Sequence, residues 1–221
     1  MTKAAIFHTS AATLSLFQNL TASAMPGVEI VHFVEESMIR EVMKNGGPTP
    51  EINARIAGYV QAAEKAGCAI FMTACSSIGG SVEQCQFLTR MRVTRIDEAM
   101  IEEAIRKGPR IAVLATVETT LRPTLDYLHR KAREAGADVD VRPTLMAEAF
   151  KALLAGDNET HDRIVAAGLR EALGNADVVV LAQASMARAM AGMPPSEVPV
   201  LTSPERGIQR LKERIEVLQN G

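Results

Sequence analysis

Cys75 is the residue of this chain whose type and setting best suit chemistry. It follows the apolar run Ala69–Ala74 and precedes Ser76-Ser77-Ile78-Gly79-Gly80, a small polar turn that should open a helix. A thiol at a helix N-terminus meets unpaired amide N–H groups and the positive end of the helix dipole, and both favour the thiolate. Such a group can remove an acidic carbon-bound proton, return one to a carbanion, or add to an activated double bond. A free cysteine also serves as a small apolar core residue. That is the role expected of Cys68, at the start of the same run, and of Cys85, beyond the glycines.

Other polar residues stand where apolar runs end: His8-Thr9-Ser10, Asp97-Glu98, Thr116 to Thr120, Gln183-Ala184-Ser185 and Thr202-Ser203. The hydroxyls of Thr9, Ser10, Ser76, Ser77, Thr116, Thr119, Thr120 and Ser185, set beside helix-start amides, suit a carboxylate. The same residue types are ordinary helix caps. His8 suits either acid–base work or a hydrogen-bonded structural role, while Asp97, Glu98 and Glu118 read as supporting groups or caps. No four residues have the spacing of a metal site, and the glycines form neither G-x-G-x-x-G nor a P-loop, so neither a metal nor a nucleotide is expected.

The elements that must position these residues are short apolar runs: Ala4–Phe7, Val28–Val34, Ala69–Ala74, Val93–Ile96, Ile111–Ala115, Val139–Val141, Val178–Ala182 and Val198–Leu201. They alternate with segments of helical composition such as Pro50–Ala66, Thr120–Ala135 and His161–Leu173. Buried strands alternating with helices imply crossover connections and parallel sheets covered on both faces, an α/β fold. The pattern also repeats. Lys3–Thr9 with Thr13-Leu14 matches Arg110–Thr116 with Thr120-Leu121, Ile70–Ile78 matches Val178–Met186, and Val93–Ile96 matches Val198–Leu201, all in the same order. Two related halves follow, joined near Lys107–Arg110. The N-terminal run is then a strand rather than a signal sequence, because its copy lies in mid-chain. Open α/β sheets bind ligands at the carboxyl ends of their strands, which is where the polar residues above sit.

Composition narrows the function further. The chain has 221 residues, 47% hydrophobic and 23% charged, with 24 Lys+Arg against 26 Asp+Glu. That balance lacks the basic footprint of a nucleic-acid partner. Three cysteines without CxxC spacing exclude a disulfide framework, and no window reaches the ~18 apolar residues of a membrane span. A soluble, cytoplasmic protein with a small-molecule ligand is expected. Aromatic residues make up only 4% of the chain, which favours a small aliphatic ligand. Whether it forms a homo-oligomer is left open.

Thr73-Ala74-Cys75-Ser76-Ser77 and Leu181-Ala182-Gln183-Ala184-Ser185-Met186 resemble the two strand-tip motifs of the aspartate/glutamate racemase superfamily, which includes hydantoin racemases, maleate isomerases and arylmalonate decarboxylases. Thr116 to Thr120 resemble that family's loop for the substrate carboxylate. The resemblance covers nearly the whole chain. It implies two pseudo-symmetric Rossmann-like halves, 1–107 with a returning helix at 206–221 and 108–205, with the active site in the cleft between them and no cofactor. It makes Cys75 the catalytic thiol and places His8, Thr9, Ser10, Ser76, Ser77, Thr116, Thr119, Thr120, Gln183, Ala184 and Ser185 around a small carboxylate substrate. The second motif departs from the family at one point: Gln183 stands where a second cysteine is expected, and the internal repeat pairs it with Cys75 independently. A glutamine amide is no proton donor to a carbanion at neutral pH, so two-thiol racemisation is not expected. One thiol permits proton-shift isomerisation, thiol addition to an alkene, or decarboxylation with protonation on one face. In each, Gln183 would bond a substrate carboxylate or enolate oxygen, unless His8 supplies the missing acid. A carboxylate-binding protein that has lost turnover is the non-enzymatic alternative.

Overall fold

In the computed structural model, which describes residues 2–191 and 193–220, every apolar run named above lies in or overlaps a strand. The chain divides into two compact units, 1–98 with 204–221 and 99–203.

The first unit runs β1 (Lys3–His8), α1 (Leu14–Ala24), β2 (Glu29–Val34), α2 (Glu36–Asn45), α3 (Pro50–Lys65), β3 (Cys68–Thr73), α4 (Gly79–Gln84) and β4 (Arg92–Arg95). Its parallel sheet has the order β2-β1-β3-β4. Alternation along the strands divides the core between two faces. Ala5, Phe7 and Phe71 pack with α2, α3 and α4 through Met38, Ile56, Val60 and Val82. Ala4, Ile6, Ile70 and Met72 pack on the other face with Phe17 of α1 and with Ile208, Leu211 and Ile215. Those three belong to the C-terminal helix, Ser203–Asn220, which therefore returns to the first sheet.

The second unit repeats the plan: α5 (Glu98–Lys107), β5 (Arg110–Ala115), α6 (Glu118–Glu134), β6 (Asp140–Leu145), α7 (Ala147–Leu154), α8 (Asn158–Leu173), β7 (Val178–Leu181) and β8 (Val200–Leu201), with the helix Ser203–Asn220 following as α9. The strand order, β6-β5-β7-β8, is that of the first sheet. Ile111, Val113, Val178 and Val180 face α5 and α6, whereas Ala112, Leu114, Val179 and Leu181 face α8 and the turn after β7. The division between units falls at the start of α5, one helix before the link at 107–110 that the repeat marks.

β6 is longer than its apolar core suggests, continuing through Arg142-Pro143-Thr144. Proline is tolerated because β6 is an edge strand, paired only with β5. The helix expected after Cys75 is also broken up. Ser76–Ile78 forms a 3₁₀ turn, α4 is only six residues long, and a second 3₁₀ turn covers Cys85–Leu88. So short a helix gives Cys75 little of the macrodipole that the sequence promised.

Candidate active site

β3 ends at Thr73, and its side chain grips the next turn from both sides. The Thr73 hydroxyl accepts from the Cys75 N–H at 3.1 Å and lies 3.3 Å from the Cys75 carbonyl, to which it donates. Cys75 is half-buried, with extended backbone, at the mouth of the 3₁₀ turn. Cys68 and Cys85 are buried, and burial pushes both of their thiols up. They take the packing role expected of them.

The turn rests on a buried ion pair. Arg95, the last residue of β4, donates from Nε and Nη2 to the two carboxylate oxygens of Asp97, each at 2.8 Å, and Asp97 is fully buried. Asp97 also accepts from the Ser76 hydroxyl. Burial alone would raise the Asp97 carboxyl. The Arg95 charge and the bonds from Arg95, Ser76 and its own backbone outweigh that and hold it below the usual range. A Cβ on Gly79 would lie 2.5 Å from the Arg95 guanidinium, so glycine there makes room for the cation. Ser76 is thus turned inward, and Ser77 is likewise buried and engaged.

At the tip of β1, His8 is fully buried, its Nδ1 3.2 Å from Thr13 Oγ1 and its Nε2 3.0 Å from His32 Nδ1. Phe17 meets its ring edge-on. Burial, and secondarily the neighbouring His32, lowers its pKa to about 4, so it is neutral at pH 7. Thr9 is buried, and Ser10 caps the following 3₁₀ turn by accepting from the Ala12 N–H. The Ala11 N–H bonds the Glu36 carboxylate. Two backbone donors of this loop are therefore used within the first unit.

The corresponding tip in the second unit differs. Gln183, just beyond β7, turns its Oε1 toward Thr116, accepting from the backbone N–H at 2.6 Å and from the hydroxyl at 3.1 Å. Its Nε2 hydrogens have no partner among the described residues. The helix beginning at Glu118 has no side-chain cap, because its N-cap is Val117. The Thr120 N–H donates to the Val117 carbonyl at 3.2 Å, which leaves the N–H groups of Glu118 and Thr119 without an intrahelical acceptor. Thr119 Oγ1, in the same turn, is buried without a hydrogen-bond partner among the described residues. Thr120 is buried and engaged, and Ala184 and Ser185 are half-buried in the 3₁₀ segment after Gln183. Of the expected residues, Thr116, Thr119 and Gln183 thus gather at the tips of β5 and β7, where the donors left over suit an anion.

Residues 8–211 match the family model for Asp/Glu/hydantoin racemases. The chain belongs to that family. No curated protein is similar enough in sequence to count as a relative. Solved structures with the same fold include a glutamate racemase from Aquifex pyrophilus, with 19% identity and a TM-score of 0.64, covering 96% of this chain and 83% of that one. An aspartate racemase homologue from Pyrococcus horikoshii OT3 has 19% identity and a TM-score of 0.69, with 98% and 100% covered. An allantoin racemase from Klebsiella pneumoniae has 17% identity and a TM-score of 0.67, with 99% and 89% covered. Such low identities establish the shared racemase-family fold and not a shared substrate.

Two residues at the racemase-family tips escaped the sequence reading, Arg95 and Thr73. Arg95 had a signal: a lone cation inside the run Val93–Ile96, two residues from Asp97, reads as a strand residue whose charge needs a buried partner. Thr73 had none, since a threonine ending a strand is unexceptional. Among the described residues no three His, Cys, Asp or Glu are grouped to hold a metal ion, and no helix is long and apolar enough to cross a membrane.

Proposed function

We propose that this racemase-family chain is a cofactor-independent isomerase of a small carboxylate, with Cys75 as the acid, base or nucleophile and with Gln183 as a hydrogen-bond donor rather than a second proton carrier. The observation that carries the reading is the Thr116–Gln183 pairing. Because a backbone N–H can only donate, the amide must present its oxygen to Thr116, and its NH₂ is left to donate elsewhere.

The chemistry follows from the donor set. A substrate carboxylate would take the N–H groups of Glu118 and Thr119, the Thr119 hydroxyl and the Gln183 NH₂. Removing a proton from the adjacent carbon moves negative charge onto those carboxylate oxygens, and donors already in place stabilise it. One such donor is worth roughly 10²–10³ in rate. The Cys75 thiolate would take that proton and return it on the same face at a shifted position. With an unsaturated diacid it would instead add to the double bond, allow rotation, and leave again. His8 is not assigned the missing proton, being neutral with both ring nitrogens engaged. The same single thiol also suits decarboxylation of a malonate-type acid, which needs only one delivered proton.

Incubation in heavy water with small amino acids, hydantoins, malonates and unsaturated diacids, followed by NMR, tests the proposal. Deuterium incorporation or isomerisation that falls by about 10²–10⁴ in Cys75→Ala is expected, the range for a positioned acid–base group. Turnover that survives intact in Cys75→Ala refutes the role of the thiol. Binding of these acids with no exchange and no product points instead to a carboxylate-binding protein.

A further inference from the structure

We propose that the Arg95–Asp97 pair is a positioning device for Cys75, holding the turn that presents the thiol. The inference rests on the reading of Cys75 as the working thiol. The pair reaches the turn at two points. Asp97 accepts from the hydroxyl of Ser76, the residue directly after Cys75, and the Arg95 guanidinium fills the space beside Gly79. A third link runs from Arg95 Nη1 to Glu83 of α4, at 3.4 Å. The strands bring these parts into register. Thr73 of β3 pairs with Arg95 of β4, and the Ile96 N–H donates to the Thr73 carbonyl, so the base of the turn and the ion pair share one sheet edge.

A role in stability alone does not account for this arrangement. Two charges withdrawn from water gain little over apolar residues of similar volume, and such pairs are often replaced by them at no loss. What apolar residues cannot do is fix a hydroxyl and a backbone turn in one geometry. Cys75 packs against the first core cluster, whose buried members include Phe71 and Ile78. With the turn released, the thiol would settle onto that apolar surface, where the nucleophilic thiolate is disfavoured.

The test is alkylation of the folded protein by iodoacetamide at pH 7.5, with modified cysteines located by peptide mass. Cys68 and Cys85 are buried and lag behind, so the early rate reports Cys75. The double variant R95M/D97L replaces the pair with apolar side chains. If it melts near the wild-type temperature, Cys75 should be alkylated at least about fivefold more slowly, because thiolate availability and access set the rate. A folded double variant that reacts within about twofold of wild type overturns the proposal, since stability would then be all the pair provides. Should the double variant fail to fold, Ser76→Ala keeps both charges and cuts only the link to the turn. About threefold slowing is expected there, and an unchanged rate likewise refutes the proposal. The two readings fail separately: a non-catalytic Cys75 shows as turnover surviving in Cys75→Ala, whereas an idle ion pair shows as an unchanged alkylation rate.

Discussion

Acidification should destabilise the first unit through His8, and the size of the effect follows from its surroundings. In the unfolded chain the imidazole titrates near 6.5, whereas in the fold burial and His32 hold it to about 4. Below pH 6.5 the unfolded chain therefore binds a proton that the folded chain refuses. Stability falls as pH drops through that interval and levels off below pH 4. At 1.36 kcal/mol per unit, a 2.5-unit shift implies a loss of about 2 kcal/mol by pH 5 and about 3 kcal/mol by pH 4. His32, lowered by its own burial, adds in the same direction. Carboxylates such as Asp97 and Glu98, whose pKa values are lowered in the fold, also lose stabilisation on acidification, but only as pH approaches their unfolded values of 3.8 and 4.5. The window from pH 6.5 to 5 thus belongs mainly to the histidines. Urea unfolding followed by circular dichroism at pH 7, 6 and 5 measures it. His8→Asn can still hydrogen-bond but does not titrate, so its loss between pH 7 and 5 should be smaller than wild type's by about 2 kcal/mol. Equal losses in the two proteins would show that His8 is not the group refusing the proton.

Four further outcomes follow at single residues. Gly207→Ala should cost about 2–3 kcal/mol, because its Cβ would meet the Ile96 side chain and lie 2.5 Å from the Ile96 carbonyl oxygen, which cannot give way. Gly168→Ala, facing only the flexible Met146 thioether, should cost under about 1 kcal/mol, and thermal melts of the two variants compare them. Gln183→Glu keeps the acceptor for Thr116 but replaces the free NH₂ with anionic oxygen. It should weaken binding of whichever carboxylate the NMR panel identifies by about tenfold or more, or 1.4 kcal/mol, by titration calorimetry. Gln183→Cys places a thiol at the position paired with Cys75 in the repeat and should create or raise racemisation. An intact, substrate-binding variant with no gain would count against the missing thiol as the limit.

The described strands and their parallel pairing were legible because most of them read as short apolar runs, and because a second copy of the pattern checked the first. β6 was read only as the apolar run Val139–Val141, because Arg142-Pro143-Thr144 carries no apolar pattern, and its place at the sheet edge lets that segment continue the strand. The positions of Cys75, Thr116 and Gln183 at strand tips were legible from the same runs. What was not legible is where each polar atom points. Ser76 and Thr119 carry the same kind of hydroxyl at the same kind of position. Yet Ser76 donates inward to Asp97, while Thr119 is left without a partner among the described residues. That difference depends on Asp97 lying beside the β3 tip, and a strand-to-strand contact is not written in either residue's neighbourhood.

The two copies of one topology have diverged in a way that bears on the chemistry. In the first, the loop after β1 uses its own donors: Ala11 N–H bonds Glu36, and Ala12 N–H bonds Ser10. In the second, the loop after β5 leads into a helix with no side-chain cap, and the Thr119 hydroxyl has no partner among the described residues. The repeat position that carries Cys75 in the first copy carries Gln183 in the second. Under the proposed function, an amide whose oxygen is bonded to Thr116 and whose NH₂ is left over suits a division of labour, with proton transfer assigned to Cys75 and anion stabilisation to Gln183. Such a division needs the anion-binding copy to stay a donor, so an acceptor or a charge at position 183 should be worse tolerated than an apolar residue of similar size. Gln183→Glu falling below Gln183→Met in substrate affinity is the ordering that follows, and the reverse ordering would mean that the NH₂ never faced the substrate.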